Sequence, residues 1–472
     1  TTSSIEDINF TTDYNGAPGT PATISNYWIW SYLNGVDNNG FVQQLESGNI
    51  PVGAGYLMKG SGNASGQTFS FIGKPNSGDV PTPAAIIENG NHIIGNPFPS
   101  SMDAVQFIYD NSEIIKNGTL YFWEHVGEAD SSTIVDGHTQ SGYRGGYATR
   151  NLAMAVNGAN VGGQDSSTGT GYTYNIPGRY IPVGQGFLFT SDDYNADGHT
   201  GLTRNLTFSN WQRVHQNETL TALISGGYSS GEDSHFLGRG SSDTKTQATN
   251  QERNSNTPIL RLGFEYNNEN NVDMHRQLGV AFKEGLTFAN DYGFDSPMYD
   301  SQYTETYWKF PGDDNRYLIA GVQELTEDIE LPIDVVIYQD EPVKFMVDGK
   351  RNISYPIYLY DAVDGISYAL NFPVELTLPT GTYTDRFFIT FRGQGIVLDD
   401  TEEVAQDTTI FYKKDSKEII IKTLNNLIIE KAELYNLIGQ KIDSWNGNTF
   451  DSNETRLKTN NLSTAVYILN VK

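Results

Sequence analysis

The chain has only seven histidines, no cysteine and 57 Asp and Glu residues, and these limits set the chemistry it can attempt. The histidines are His92, His125, His138, His199, His215, His235 and His275. No two have the His-x-x-x-His spacing that puts two imidazoles on one helix face for zinc. The single Gly-x-Ser-x-Gly string, Gly227–Gly231, lies in a Ser- and Gly-rich stretch rather than between a strand and a helix, so the esterase elbow is absent. Without cysteine there is no disulfide, thiolate nucleophile or Cys-based zinc site. A carboxylate-pair glycosidase has no short spacing rule, so it stays open. With so many acidic residues, however, most carboxylates are expected simply to be solvated surface. No residue is singled out as catalytic.

Two patterns point to binding. Asp193-Tyr194-Asn195-Ala196-Asp197-Gly198 matches the first half of a calcium loop: oxygen ligands at alternate positions, then a glycine that lets the chain wrap a hard cation. The twelfth position is Arg204 where an EF-hand needs Glu, so Asp193, Asn195 and Asp197 would need further ligands from elsewhere to hold Ca2+. The alternative is a plain Asx-turn loop. Trp28, Trp30, Tyr121 and Trp123 could form an aromatic platform for a glycan, although strand alternation sends about half of such a set into the core.

The elements that must carry these residues read as strands. Gly (48), Tyr (28) and abundant Asn, Ser and Thr point to an all-β chain with many turns. No apolar run approaches the ~18 residues of a membrane helix. The net charge is −27; residues 400–472 carry −2 of it and the other 399 residues −25. So acidic a surface repels phosphate, which argues against nucleic acid, and it suits divalent cations or a glycan-rich exterior. Stability without disulfides must come from large cores, which a chain of this length can build. The chain begins Thr1-Thr2-Ser3 without a signal segment, and is expected to be a mature protein or a piece of a longer one.

The expected organisation is a repeat-containing β-domain (1–222), a linker or long loop (223–256), a β-sandwich (257–395), an acidic linker (396–408) and a small C-terminal sandwich (409–472). The repeat pairs Ile50-Pro51-Val52-Gly53-Ala54-Gly55-Tyr56-Leu57-Met58 with Ile181-Pro182-Val183-Gly184-Gln185-Gly186-Phe187-Leu188-Phe189. An aromatic strand precedes each copy, Tyr27–Trp30 and Leu120–Trp123. With no Lys or helix start after them, the glycines suit a bulge or close backbone packing rather than phosphate binding. Between the copies, Gly95-Asn96-Pro97-Phe98-Pro99 leads to a short helix in which Ser100 and Asp103 resemble a capping box, with Met102, Val105 and Ile108 on one face.

The C-terminal stretch holds the most specific pattern. Leu434-Tyr435-Asn436-Leu437-Ile438-Gly439-Gln440-Lys441 is followed, some twenty residues on, by Leu462-Ser463-Thr464-Ala465-Val466-Tyr467-Ile468-Leu469-Asn470-Val471. Apolar alternation makes these short antiparallel strands, with Gly439 at a turn where φ is expected to be positive. Together they resemble the type A C-terminal sorting domain of bacterial type IX secretion substrates: a strand, Tyr-Asn, two residues, Gly-Gln, then Leu-x-x-Gly-hydrophobic-Tyr. Ala465 stands where that family usually has Gly, and the family usually runs on past the position of Lys472 to a basic tail.

The Gly95–Pro99 segment resembles ones in large surface proteins of the same secretion class, and the stretch Pro356–Asp361 with Tyr383–Phe391 resembles the module that often precedes a type IX sorting domain. The resemblance implies a non-enzymatic secreted or cell-surface protein, an adhesin, exported across the outer membrane. Its sorting residues would be Tyr435, Asn436, Gly439, Gln440, Leu462 and Tyr467. Its partners would be the type IX translocon and its shuttle protein, with surface glycans as further candidates. The domain would then be removed and the protein attached to surface lipopolysaccharide or released. The rival reading is a secreted glycan-binding module or part of a polysaccharide hydrolase.

Overall fold

The computed structural model describes residues 4–6, 8–13, 16–17, 22–46, 50–60, 70–126, 144–161, 176–194, 201–214, 256–268, 273–398, 408–413, 416–423, 431–436, 440–446, 454–459 and 467–471, some of them by backbone only. The chain is all-β, about 50% strand and 6% helix. It divides into two compact units, Thr1–Leu398 and Asp399–Lys472. Among the described residues no helix is long and apolar enough to cross a membrane.

The first part of the larger unit is built around the strand Asn91–Gly95. It pairs antiparallel with Gly186–Thr190, in a five-stranded sheet completed by Leu120–Val126, Arg144–Arg150 and Ala155–Val156. The two repeat copies flank this strand. Gly186 lies opposite Gly95, and Ala54 bridges to Ile94 on the other side. Each copy turns in the same way. Ala54 N–H donates to Pro51 O at 3.1 Å and Gln185 N–H to Pro182 O at 3.3 Å, with Gly53 at φ +81° and Gly184 at φ +73°. These are turns in which the third residue must adopt a positive φ, so glycine is needed there. A side chain on Gly55 would sit 2.6 Å from Ile94 O, which is the close packing the repeat implies.

Two local expectations shift. The aromatic strand at Tyr27–Trp30 begins instead as a 3-10 turn over Asn26–Trp28, and the strand covers Trp30–Tyr32. Asn26 Nδ2 donates to the Glu46 carboxylate, which ties that turn down. The helix runs over Ala104–Asp110 and its cap is Asp103, whose carboxylate accepts from Val105 N at 3.0 Å; Ser100 is not the cap. The start is displaced because Ser101–Asp103 is a strand held between Tyr180–Ile181 and Arg213–Val214. Met102 is therefore buried from a strand, while Phe107 and Ile108 carry the inner face of the helix.

The chain then crosses into a 13-stranded sheet, which Asn160–Val161 enters by pairing with Asp273–Phe282. Ile259–Asn267 and Asp273–Phe282 form its central hairpin, and Glu341–Arg351, Tyr317–Val322 and Glu330–Ile337 extend it. The core between its faces includes Leu262, Phe264, Leu278, Trp308, Ile333, Phe345 and Phe387. Among the described residues the smaller unit has two three-stranded sheets. One joins Thr408–Lys413, Glu418–Thr423 and Glu454–Lys458; the other joins Lys441–Asn446, Lys431–Asn436 and Tyr467–Val471. Ile419, Ile421, Ala432, Leu434 and Leu457 meet in one small core between them.

Candidate functional site

In the smaller unit the strand Lys431–Asn436 is central, and Tyr435, Asn436, Gln440 and the backbone of Tyr467 lie at its end. Ala432 and Leu434 point into the core, so Lys431, Glu433 and Tyr435 share the outer face. Asn436 is in register with Tyr467, and Tyr435 with Ile468. The hairpin to Lys441–Asn446 is closed by one residue pair. Asn436 N–H donates to Gln440 O at 3.0 Å, Asn436 Oδ1 accepts from Gln440 N at 2.9 Å, and Asn436 Nδ2 donates to Gln440 Oε1 at 3.2 Å. The register then slips between Leu434 and Tyr435, bringing Lys441 opposite Tyr435. Lys441 Nζ lies 2.6 Å from Glu433 Oε1 and 5.8 Å from the Tyr435 ring centre, and Lys431 Nζ lies 2.9 Å from the same Glu433 oxygen. The two ammonium groups hold the Glu433 carboxyl down at about 2. The structure thus joins Tyr435, Asn436, Gln440 and the backbone of Tyr467. Gly439, Leu462 and the Tyr467 side chain lie outside the described residues.

The four aromatic candidates fall into two groups. Trp28 and Trp30 stand edge-on to Tyr27, with ring centres 5.0 and 6.2 Å away. Tyr121 and Trp123 belong to a second cluster, where Trp123 meets Tyr147 at 5.2 Å and Tyr299 meets both Tyr147 and Tyr121 at 4.9 Å. Trp123 is 43% exposed and Tyr121 only 4%. Tyr121 is therefore core, and its hydroxyl donates to Pro297 O at 3.2 Å. Burial also pushes the Tyr299 hydroxyl up to about 12.

The described Asp193 is exposed, and its N–H donates to Asp192 Oδ1 at 2.8 Å. Asn195 and Asp197 lie outside the described residues. Arg204, at the position where an EF-hand has Glu, pairs with Glu113 and lies 5.0 Å from the Tyr194 ring centre. Among the described residues no group of three or more His, Cys, Asp or Glu is arranged to hold a metal ion.

Three buried polar clusters have no short-motif signal. His92 Nε2 lies 3.0 Å from Ser191 Oγ, which resembles a nucleophile–base pair. Yet Asn34 N–H donates to His92 Nδ1 at 3.0 Å, so the proton of the neutral ring sits on Nε2 and points at the serine. In that tautomer His92 cannot take the Ser191 proton, and burial holds the ring neutral by lowering its pKa to about 3. His275 lies between Asp348 (2.8 Å from Nε2) and Glu265 (3.5 Å from Nδ1). Burial alone would lower its pKa, but the two carboxylates override this and raise it to about 9. Asp348 reaches the ring because Glu341–Arg351 bulges opposite Arg261 and Leu262. Arg276 pairs with Glu305, both fully buried, through Nε–Oε1 at 3.0 Å and an Nη–Oε2 contact at 2.6 Å. The one visible hint of the last two clusters is Asp273-Met274-His275-Arg276-Gln277, a polar run that leads into an apolar strand.

Comparison with known proteins gives one match. Residues 11–391, about four fifths of the chain, fit a family model described as Domain of unknown function (DUF8693). The match ends before the smaller unit begins at Asp399. No curated protein and no solved structure matches the chain. The chain belongs to the DUF8693 family.

Proposed function

We propose that this chain is a non-enzymatic secreted or cell-surface protein, an adhesin, whose smaller unit is an export address for a type IX secretion translocon and its shuttle protein. The observation that carries the reading is the backbone of Tyr467, from the second string, in register with Asn436 of the first, which is itself locked to Gln440. The unit that bears them, Asp399–Lys472, is compact in its own right and has its own core. It is nearly neutral, whereas the rest of the chain is strongly acidic. The family match lies wholly outside it, as befits an address appended to a separate passenger. A folded address must present the same surface to its receptor every time, and the Asn436–Gln440 lock fixes that surface at the motif.

Residues 399–472 fused to an unrelated periplasmic reporter should send the reporter to the surface or medium of cells that possess the secretion system. Retention of the fusion in the periplasm, at the level of the reporter alone, would overturn the proposal.

A further inference from the structure

In the larger unit, Tyr303 and Tyr338 are exposed by 62% and 50% and lean on each other, ring centres 5.0 Å apart and planes inclined by 33°. Each fixes the other's orientation while its outer face stays open. Their backbone is tied down on several sides. Gln302 N–H donates to Glu305 Oε2 at 3.1 Å, and Glu305 is itself held by the buried Arg276. Tyr338 N–H donates to Thr304 Oγ1 at 3.1 Å. At the adjoining turn Asp340 Oδ1 accepts from Thr380 N at 2.5 Å and from Thr380 Oγ1 at 2.7 Å. Both bonds use one oxygen. Among the described residues Asp340 Oδ2 and the two tyrosine hydroxyls make no hydrogen bond.

We propose that Tyr303, Tyr338 and Asp340 form a binding site for a neutral saccharide. A pyranose ring has an apolar face of C–H groups that packs on an aromatic ring and a rim of hydroxyls that seeks acceptors. The site offers both, preorganised, so little side-chain entropy is lost on binding. Residues 302–304, 338–340 and 379–381 include no Lys or Arg, and the chain carries −27, so sulfated, sialylated or phosphorylated sugars would be repelled. The site names a ligand class for the adhesin reading and relies on that reading only for meeting glycans outside the cell.

Affinity electrophoresis of the full chain in native gels containing laminarin, xylan, mannan or dextran tests the assignment. At least one polysaccharide should retard the protein. Y303A/Y338A should weaken that retardation by about tenfold or more, while Y303F/Y338F keeps the ring faces and most of the binding. D340N should weaken it less. Trp211, 82% exposed elsewhere on the unit, supplies the control W211A. All of these side chains are exposed, so melting temperatures should stay unchanged. Retardation by none of the four, retardation retained in Y303A/Y338A, or loss in W211A instead would overturn the site. Cell-surface export is read separately by fractionation and should be the same in every variant, so failure of the sugar site and failure of the export reading are distinguishable.

Discussion

Asn436 faces Tyr467 across neighbouring strands, so residues thirty-one positions apart in the chain meet at one end of a three-stranded sheet. The same asparagine closes the turn to Gln440 with both polar atoms of its side chain. Tyr435 and Asn436 of the first string and the backbone of Tyr467 from the second are therefore neighbours in one sheet.

Asn436→Ala removes both side-chain bonds and should destabilise this hairpin by about 1–2 kcal/mol. Asn436→Asp keeps the acceptor for Gln440 N and should cost less. Hydrogen exchange of amides 431–446 in the full chain checks the order wild type, Asp, Ala. Equal protection in all three would show that the side chain does not hold the turn.

Gly184→Ala places a side chain at φ +73° and should cost about 1–2 kcal/mol in the larger unit. The same change at Gly53, at φ +81°, should cost a similar amount because the two repeat copies turn alike. Urea unfolding followed by tryptophan fluorescence gives both values. A large effect in one copy and none in the other would contradict their structural equivalence.

Much of this was legible in the sequence, and the limits have physical causes. Alternation gave the β class, because it follows from side-chain direction along a strand. The glycine pair of the repeat pointed to a bulge or close backbone packing, and Gly55 and Gly186 lie close against the strand Asn91–Gly95. The helix start was misplaced because the pairing of Ser101–Asp103 with Tyr180–Ile181 and Arg213–Val214 is long-range and overrides a local capping pattern. The partners of His275 and Arg276 are not legible in the sequence, because a bulge brings Asp348 from 73 residues away and a separate strand brings Glu305 from 29. The Tyr303–Tyr338 pair was equally hidden, since two strand ends create it.

Stability should fall as the pH rises from about 6 to 9. His275 is raised in the folded protein to about 9 from an ordinary 6.5, so its contribution is complete below 6.5 and is lost as pH climbs through 9. Burial likewise pushes the Asp295 carboxyl up to about 7, although its oxygens accept from Asp291 N at 2.5 Å and Gly321 N at 2.7 Å. Its contribution is complete below the ordinary 3.8 and is lost by about pH 7, so it adds only to the low end of the decline. Calorimetric melting temperature against pH should therefore decline over this window. His275→Gln should flatten the upper part and Asp295→Asn the lower. A wild-type curve that is level from pH 6 to 9 would refute the linkage.

Calcium should bind Asp193, Asn195 and Asp197 weakly. Chelator should then lower the melting temperature of the full chain and added calcium restore it, by RT ln(1 + [Ca2+]/Kd). Asp193→Asn with Asp197→Asn should abolish the response. Identical melts with and without chelator, together with no calcium by elemental analysis, would remove the ion from the account.

The most direct measurement is the location of the chain lacking residues 399–472, expressed in cells that have a type IX secretion system and fractionated into periplasm, outer membrane and medium. The larger unit should keep its fold and its β-rich circular dichroism but accumulate in the periplasm, while the full chain reaches the surface or medium. Normal surface levels of the folded, truncated chain would contradict the claim that the smaller unit is the export address.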